Sequence, residues 1–170
     1  RRPAPRSAPL AQMPLEEVTS FLDPLIERRA DYCKGNRFMP GMGAFDRMPK
    51  IRLFANMLIT AMTKISSGYY NVVDVVDGYT AITATTLKRI NWDLAWKGYG
   101  YPMDFLIRLN AAGLKALDVP RTAIYLPGER QSQIKGLRYA LRVAPMLVRG
   151  FFWRMLNKYG FYSFHPLILF

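Results

Sequence analysis

The stretch Tyr69–Thr83, Y-Y-N-V-V-D-V-V-D-G-Y-T-A-I-T, constrains the fold of this chain most strongly. Val72-Val73 and Val75-Val76 each run into a carboxylate, Asp74 and then Asp77. β-Branched valines favour extended backbone, and Asp with Gly interrupts it. The pattern predicts a strand end, a tight turn at Gly78 and a second strand over Tyr79–Ile82. Gly78 lacks a Cβ, which permits positive φ or the close approach of a ligand. Thr83 suits the N-cap of a helix starting near Ala84. Two acidic groups are thereby held where the chain reverses. Local pattern leaves two readings open: a solvated turn between core strands, or part of a functional loop.

The flanking segments alternate in type. Pro14 fits the first position of a helix with Glu16 and Glu17 in its first turn, and Leu15, Val18, Leu22, Leu25 and Ile26 form its apolar stripe. Pro24 kinks or ends it. Ala30–Phe38 reads as a strand and Met39–Met48 as a loop punctuated by Pro40, Gly41 and Gly43. Lys50–Ser66 reads as an amphipathic helix with Ile51, Phe54, Leu58, Met62 and Ile65 on one face, stopped by Gly68. Thr86–Ile90 completes a short helix, and Trp92–Tyr101 is an aromatic loop. Met103–Ala112 is a helix stopped by Gly113. Leu114–Val119 and Thr122–Leu126 are extended, broken at Pro120. This alternation argues for an α/β sheet with helices against it.

Charge is unevenly spread. Of the formal +12, residues 1–13 carry +3, residues 14–129 carry +2 and residues 130–170 carry +7 with no acid. The basic C-terminal arm should face phosphates. Within it, Ser132–Lys158 reads as a helix kinked at Pro145. Lys135, Arg138, Arg142 and Arg149 follow one side. Leu137, Leu141, Ala144, Val148, Phe151, Phe152 and Met155 follow the other. That division fits a helix lying in a membrane interface, or one packed on the domain with a solvated basic side. The last residues, Tyr159–Phe170, are nearly all aromatic or aliphatic. Cys33 is the single cysteine and reads as a buried structural thiol; His165 is the single histidine. A disulfide framework, a histidine-based zinc site and a Ser-His-Asp triad are all disfavoured. No apolar run reaches the length of a complete membrane span, and residues 1–13 lack a signal-peptide core.

Several pieces, in order, resemble family 2 glycosyltransferases of the polyprenyl-phosphate sugar transferase type. They are A-Q-M-P-L-E-E-V at 11–18, D-Y-C-K-G-N-R-F at 31–38, M-P-K-I-R-L-F-A-N at 48–56, D-G-Y-T-A-I at 77–82, D-F-L-I-R-L-N at 104–110, G-E-R-Q-S at 128–132 and F-H-P-L-I-L-F at 164–170. The resemblance implies an α/β fold: the C-terminal half of a GT-A (Rossmann-like, mixed-sheet) glycosyltransferase, followed by a basic amphipathic C-terminal helix. The implied division is a non-family, disordered start over 1–13, a partial GT-A domain over 14–131 and a membrane-interface segment over 132–170.

The resemblance also implies roles. Asp77, Gly78 and Tyr79 become the inner wall of a sugar-transfer site, with Asp74 as support. Asp104 helps position the acceptor, although Pro102 and Val76 depart from the family's usual Glu or Asp and Gln. Arg37 matches an arginine near phosphate, with Lys34 as its neighbour; Arg52 begins the helix that carries basic acceptor-side residues in the family, and Arg130 matches a basic position in a mobile loop over the active site, so all four are implied as phosphate-binding cations. A divalent metal, Mg²⁺ or Mn²⁺, is implied on the donor diphosphate, held in the family by two aspartates. Here those positions are Ala8 and Leu10, and Gln12 is left as a weak ligand. The implied partners are a nucleotide sugar donor, a polyprenyl phosphate acceptor and an anionic membrane surface at the cytoplasmic face. The chain itself is expected to be weakly active or inactive alone. The alternative is a non-catalytic membrane-interface binding protein. Nucleic acid is not expected as a partner, because no sheet carries alternating basic and aromatic residues.

Overall fold

The computed structural model describes residues 15–39, 50–98, 100–122 and 136–160. Among them is a small mixed sheet of three strands, β1 (Tyr32–Asn36), β2 (Thr80–Ile82) and β3 (Ala116–Pro120), in the order β2-β1-β3. β1 runs antiparallel to β2 and parallel to β3, so Lys34 faces Thr80 on one side and Asp118 on the other. The helices are α1 (Val18–Ile26), α2 (Lys50–Ser67), α3 (Ala84–Arg89), α4 (Tyr101–Ala111) and α5 (Gly136–Met155). A 3₁₀ turn over Leu15–Glu17 leads into α1, and another over Trp92–Leu94 lies between α3 and α4.

Local chemistry explains the boundaries. Thr83 caps α3, its Oγ1 accepting from Thr86 N at 3.2 Å. Gly68 and Gly113 follow α2 and α4 with φ of +75° and +70°, a conformation that costs a glycine little. Pro102 sits in the first turn of α4, where its missing N–H is no loss. α5 continues through Pro145. Cys33 is buried, as expected of a structural thiol.

The expected strand across Val72–Val76 is not formed. Val72 and Val75 are buried, three residues apart rather than two, on irregular backbone. The backbone groups of Val73 find side chains instead of a neighbouring strand. Its N–H donates to Asp118 Oδ2 at 2.8 Å, and its carbonyl accepts from Thr60 Oγ1 at 2.9 Å. Gly78 does not adopt positive φ, and a Cβ there would meet open space.

Three helices turn a different face inward from the expected one. In α5, Leu141, Val148 and Phe152, expected opposite the cations, share the exposed face with Arg138, Arg142 and Arg149, while Ala140, Val143, Met146 and Leu147 are buried. In α1, Phe21 and Pro24 are buried while Leu22 and Ile26 are exposed. In α2, Ala55, Asn56, Ile59, Thr60, Thr63 and Ser66 are buried, whereas Ile51, Phe54, Leu58 and Ile65 are exposed. The inward face of α2 is small and hydroxylated, and it packs against α4 and α5. Two of its hydroxyls donate within the helix, Thr63 to Ile59 O at 2.8 Å and Ser66 to Met62 O at 2.9 Å, while Thr60 reaches the Val73 carbonyl. The main core gathers Ile59 of α2, Leu106 and Leu109 of α4, Val143 and Leu147 of α5, and the loop residues Val72 and Val75.

Candidate active site

β1 and the turn residue after it, Arg37, supply four consecutive residues that build the site. Alternation along the strand sends Lys34 and Asn36 to one face and Gly35 to the other. Lys34 is fully buried, and its Nζ donates to the Asp77 carbonyl at 2.5 Å. Arg37 grips Asp74 as a fork, through Nε at 2.6 Å and a terminal nitrogen at 3.1 Å, and its Nε lies 3.3 Å from Asp77. Arg121, immediately after β3, donates to Asp77 Oδ2 at 3.1 Å and lies over the Tyr79 ring. Asp77 Oδ1 accepts from Tyr79 N at 2.9 Å, which fixes the turn. Asn36 donates to Asp118 Oδ2 at 2.6 Å and accepts from Phe38 N at 2.9 Å.

Lys34, Arg37 and Arg121 thus balance Asp74, Asp77 and Asp118 in one mostly buried network. Such a cluster is tolerable because every charge has an opposite neighbour. Burial lowers the Lys34 ammonium to about 8, against the pull of Asp74, Asp77 and Asp118 in the other direction. Burial raises Asp118 to about 6, opposed by its hydrogen bonds from Val73 and Asn36. Gly35 is where the network demands a glycine. A Cβ there would sit 3.0 Å from Arg121 Cδ and 3.2 Å from both Asp77 Oδ2 and the Tyr79 carbonyl.

Asp77 also forms part of the wall of a cavity of about 440 Å³. Asp104, in the first turn of α4, lies on the same cavity, with Trp92, Trp96, Tyr101 and Phe105 supplying rings around it. Phe105 stacks on Trp92 at a centroid distance of 4.8 Å. Asp104 Oδ2 accepts from Arg108 Nε at 2.7 Å and from Trp96 N at 2.9 Å, so it holds the aromatic loop against α4. Its Oδ1 has no hydrogen-bond partner among the described residues. Burial raises the Tyr32 phenol well above its ordinary range, which keeps it a protonated donor at this cavity.

The structure therefore brings Lys34, Arg37, Asp74, Asp77, Gly78 and Tyr79 together around one turn, and places Asp104 on the wall of the same cavity as Asp77. Lys34 is enclosed and Arg37 is committed to carboxylates, so both act on the wall in this arrangement. Arg52 lies in the first turn of α2, its side chain outside the description; Gln12 and Arg130 lie outside the described residues. Sequence reasoning missed Arg121, Asp118, Gly35 and Arg108. A glycine inside a strand is a signal for close backbone approach, which points to Gly35. The i, i+4 spacing of Asp104 and Arg108 points to their pair. Arg121 and Asp118 become visible only once β3 is placed beside β1.

The described residues do not fit a divalent metal. No group of three His, Cys, Asp or Glu side chains suited to a metal ion occurs among them. The four carboxylate oxygens of Asp74 and Asp77 already accept from Arg37, Tyr79 and Arg121.

The chain is similar to proteins of known sequence over part of its length. It is 33% identical over 98 residues to the undecaprenyl-phosphate mannosyltransferase of Micrococcus luteus, covering 57% of this chain and 40% of that protein. It is 27% identical over 110 residues to an uncharacterised protein of Methanocaldococcus jannaschii, covering 65% of this chain and 44% of that one. The matched stretch is thus less than half the length of either relative. No family model and no solved structure matches the chain.

Proposed function

We propose that this chain forms the inner wall of a sugar-transfer site, in a GT-A type fold, that moves a sugar from a nucleotide sugar to polyprenyl phosphate at a membrane surface. The observation that carries this reading is the cavity bounded by Asp77, Asp104 and five aromatic rings. A hexose presents C–H faces, which rings cover, and hydroxyl edges, which carboxylates accept. The similarity to a polyprenyl-phosphate mannosyltransferase supports the same substrates.

In this reading Asp104 Oδ1 accepts a hydroxyl of the sugar or acceptor. Asp77 keeps the turn in shape, and Lys34, Arg37 and Arg121 keep Asp77 in place. An acceptor phosphate oxygen attacks the anomeric carbon, a new C–O bond forms, and the bond to the nucleoside diphosphate breaks. The attacking oxygen is already anionic near neutral pH, so no strong general base is required. Arg52 and Arg130 are the further cations proposed for phosphate. Ala8 and Leu10 stand where the resembled family has its aspartate pair, so transfer by this chain alone is expected to be weak or nil.

The exposed apolar residues of α2 and α5, with Arg138, Arg142 and Arg149 exposed beside them on α5, support docking on an anionic membrane surface. They equally support the second reading, a non-catalytic membrane-interface protein. Saturation-transfer NMR on the full chain with a hexose 1-phosphate separates the two. Saturation of the sugar ring protons, reduced severalfold by Asp104→Asn, is expected. Absence of any sugar saturation, with vesicle binding intact, would favour the non-catalytic reading.

A further inference from the structure

The loop over 94–98 gives Ala95, Trp96, Lys97 and Gly98 to the aromatic cavity, yet it buries little of itself: Leu94, Trp96, Lys97 and Gly98 are exposed. Apolar burial therefore holds it weakly, and polar ties decide its place. Two side chains of α4 reach its backbone. Asp104 Oδ2 accepts from Trp96 N at 2.9 Å, and a terminal nitrogen of Arg108 donates to the Leu94 carbonyl. Both ties depend on Arg108, because its Nε donates to that same Oδ2 at 2.7 Å. The Trp153 ring of α5, with its centroid 5.2 Å from the guanidinium carbon, adds a third hold on the side chain. Arg108 does not itself line the aromatic cavity.

We propose that Arg108 is a positioning residue of the sugar cavity: without touching the hexose, it sets the Asp104 carboxylate and the loop over 94–98 in the arrangement that a hexose meets. The proposal rests on the sugar-transfer reading. A guanidinium is a rigid fork, so one side chain spans the Asp104 carboxylate and the Leu94 carbonyl together. An ammonium is a point charge on a flexible stem and does not reproduce that span. With Oδ2 taken by Arg108 and the Trp96 amide, Asp104 offers Oδ1 to another donor. Rotation of that carboxylate would release Trp96 as well, so the acid and the ring beside it move as one unit.

The full chain is compared with Arg108→Gln, Arg108→Lys, Asp104→Asn and the double variant Asp104→Asn with Arg108→Gln, each checked for folding by urea unfolding. In the free protein, hydrogen exchange at the Trp96 amide should quicken about tenfold or more in Arg108→Gln, the usual consequence of losing a charged hydrogen bond. Binding of a hexose 1-phosphate, titrated by NMR, should weaken about tenfold in Arg108→Gln and by a similar factor in Arg108→Lys, which keeps the charge and loses the fork. The double variant should bind no more than about threefold more weakly than Asp104→Asn, because Arg108 acts largely through that carboxylate. Trp96 exchange unchanged in Arg108→Gln would overturn the proposal. So would full hexose affinity in Arg108→Lys, which reduces the effect to charge, or losses that simply add in the double variant. Where Arg108→Gln fails to fold, the milder Arg108→Lys carries the same comparisons. Absence of hexose binding in the wild type would defeat the sugar-transfer reading, while Trp96 exchange still decides whether Arg108 sets the loop.

Discussion

Lys34 shows what a single buried charge does for this site. Its ammonium gives up water for one carbonyl and three nearby carboxylates. Its folded pKa of about 8 lies below the ordinary 10.5, so its contribution to stability is present above 10.5 and lost as pH falls through 8. Wild-type stability should therefore carry a rising component between those values, on the order of 3 kcal/mol in total. Lys34→Met should lose that component while being less stable near neutrality, since it leaves the acids in excess. Urea midpoints from pH 7.5 to 10, compared between the two proteins, check this. Asp118 acts in the opposite sense: its pKa is raised to about 6 from 3.8, so its contribution is full below 3.8 and lost as pH rises through 6. Gly35 is the second telling residue. Gly35→Ala should cost about 1–3 kcal/mol, because the new methyl meets the Tyr79 backbone as well as movable side chains. Thermal or urea unfolding measures it.

Among the elements, α5 is tied to α2 by a buried cation rather than by apolar packing alone. Arg154 donates to the Ser66 carbonyl at 2.8 Å and the Ile65 carbonyl at 3.3 Å, at the C-terminal end of α2, where carbonyls lack helical partners. It also reaches Asn110 of α4, which Lys158 meets at 2.9 Å. Arg154→Met should destabilise by about 3 kcal/mol, read from denaturant unfolding, because it leaves these carbonyls buried without a donor. Element existence was largely legible in the sequence: α2, α3 with its Thr83 cap, α4 with its Gly113 stop, β1 and β3 all fall near their expected places. The inward faces were not. In α2, periodicity marked the larger side chains, and the helix buries its smaller ones to let α4 and α5 approach. Across Val72–Val76, valine propensity suggested a strand, but Thr60 and Asp118 took the backbone groups of Val73. Of the site, the Asp74–Tyr79 turn and Asp104 were legible as a motif. Lys34 and Arg37 were named from the sequence as phosphate cations, whereas here they hold Asp77 and Asp74; Arg121 depends on cross-strand register, which local sequence does not display.

At the scale of the molecule, chemistry and surface divide. Asp77, Asp104 and the aromatic rings converge on one cavity, while α2 and α5 leave Ile51, Phe54, Leu141, Val148 and Phe152 exposed. No helix among the described residues is long and apolar enough to cross a membrane. The proposed attachment to an anionic surface rests on exposed apolar side chains beside the exposed Arg138, Arg142 and Arg149. Sedimentation with phosphatidylglycerol vesicles should fall at least about tenfold when Arg138, Arg142 and Arg149 are changed together to Gln, at roughly 1 kcal/mol per cation. Phe54→Ser with Phe152→Ser should lower it comparably through lost apolar contact. Unchanged sedimentation in both variants would place the attachment elsewhere. The central claim, that the cavity between Asp77 and Asp104 receives a sugar, is tested most directly by mapping backbone amide shifts of the isotopically labelled full chain. The titrant is a hexose 1-phosphate, with inorganic phosphate as the matched control. Sugar-dependent shifts gathered over Asp77–Thr80 and Trp92–Phe105 are the expected result. Shifts identical to those from inorganic phosphate, or sugar-dependent shifts confined to other regions, would contradict it.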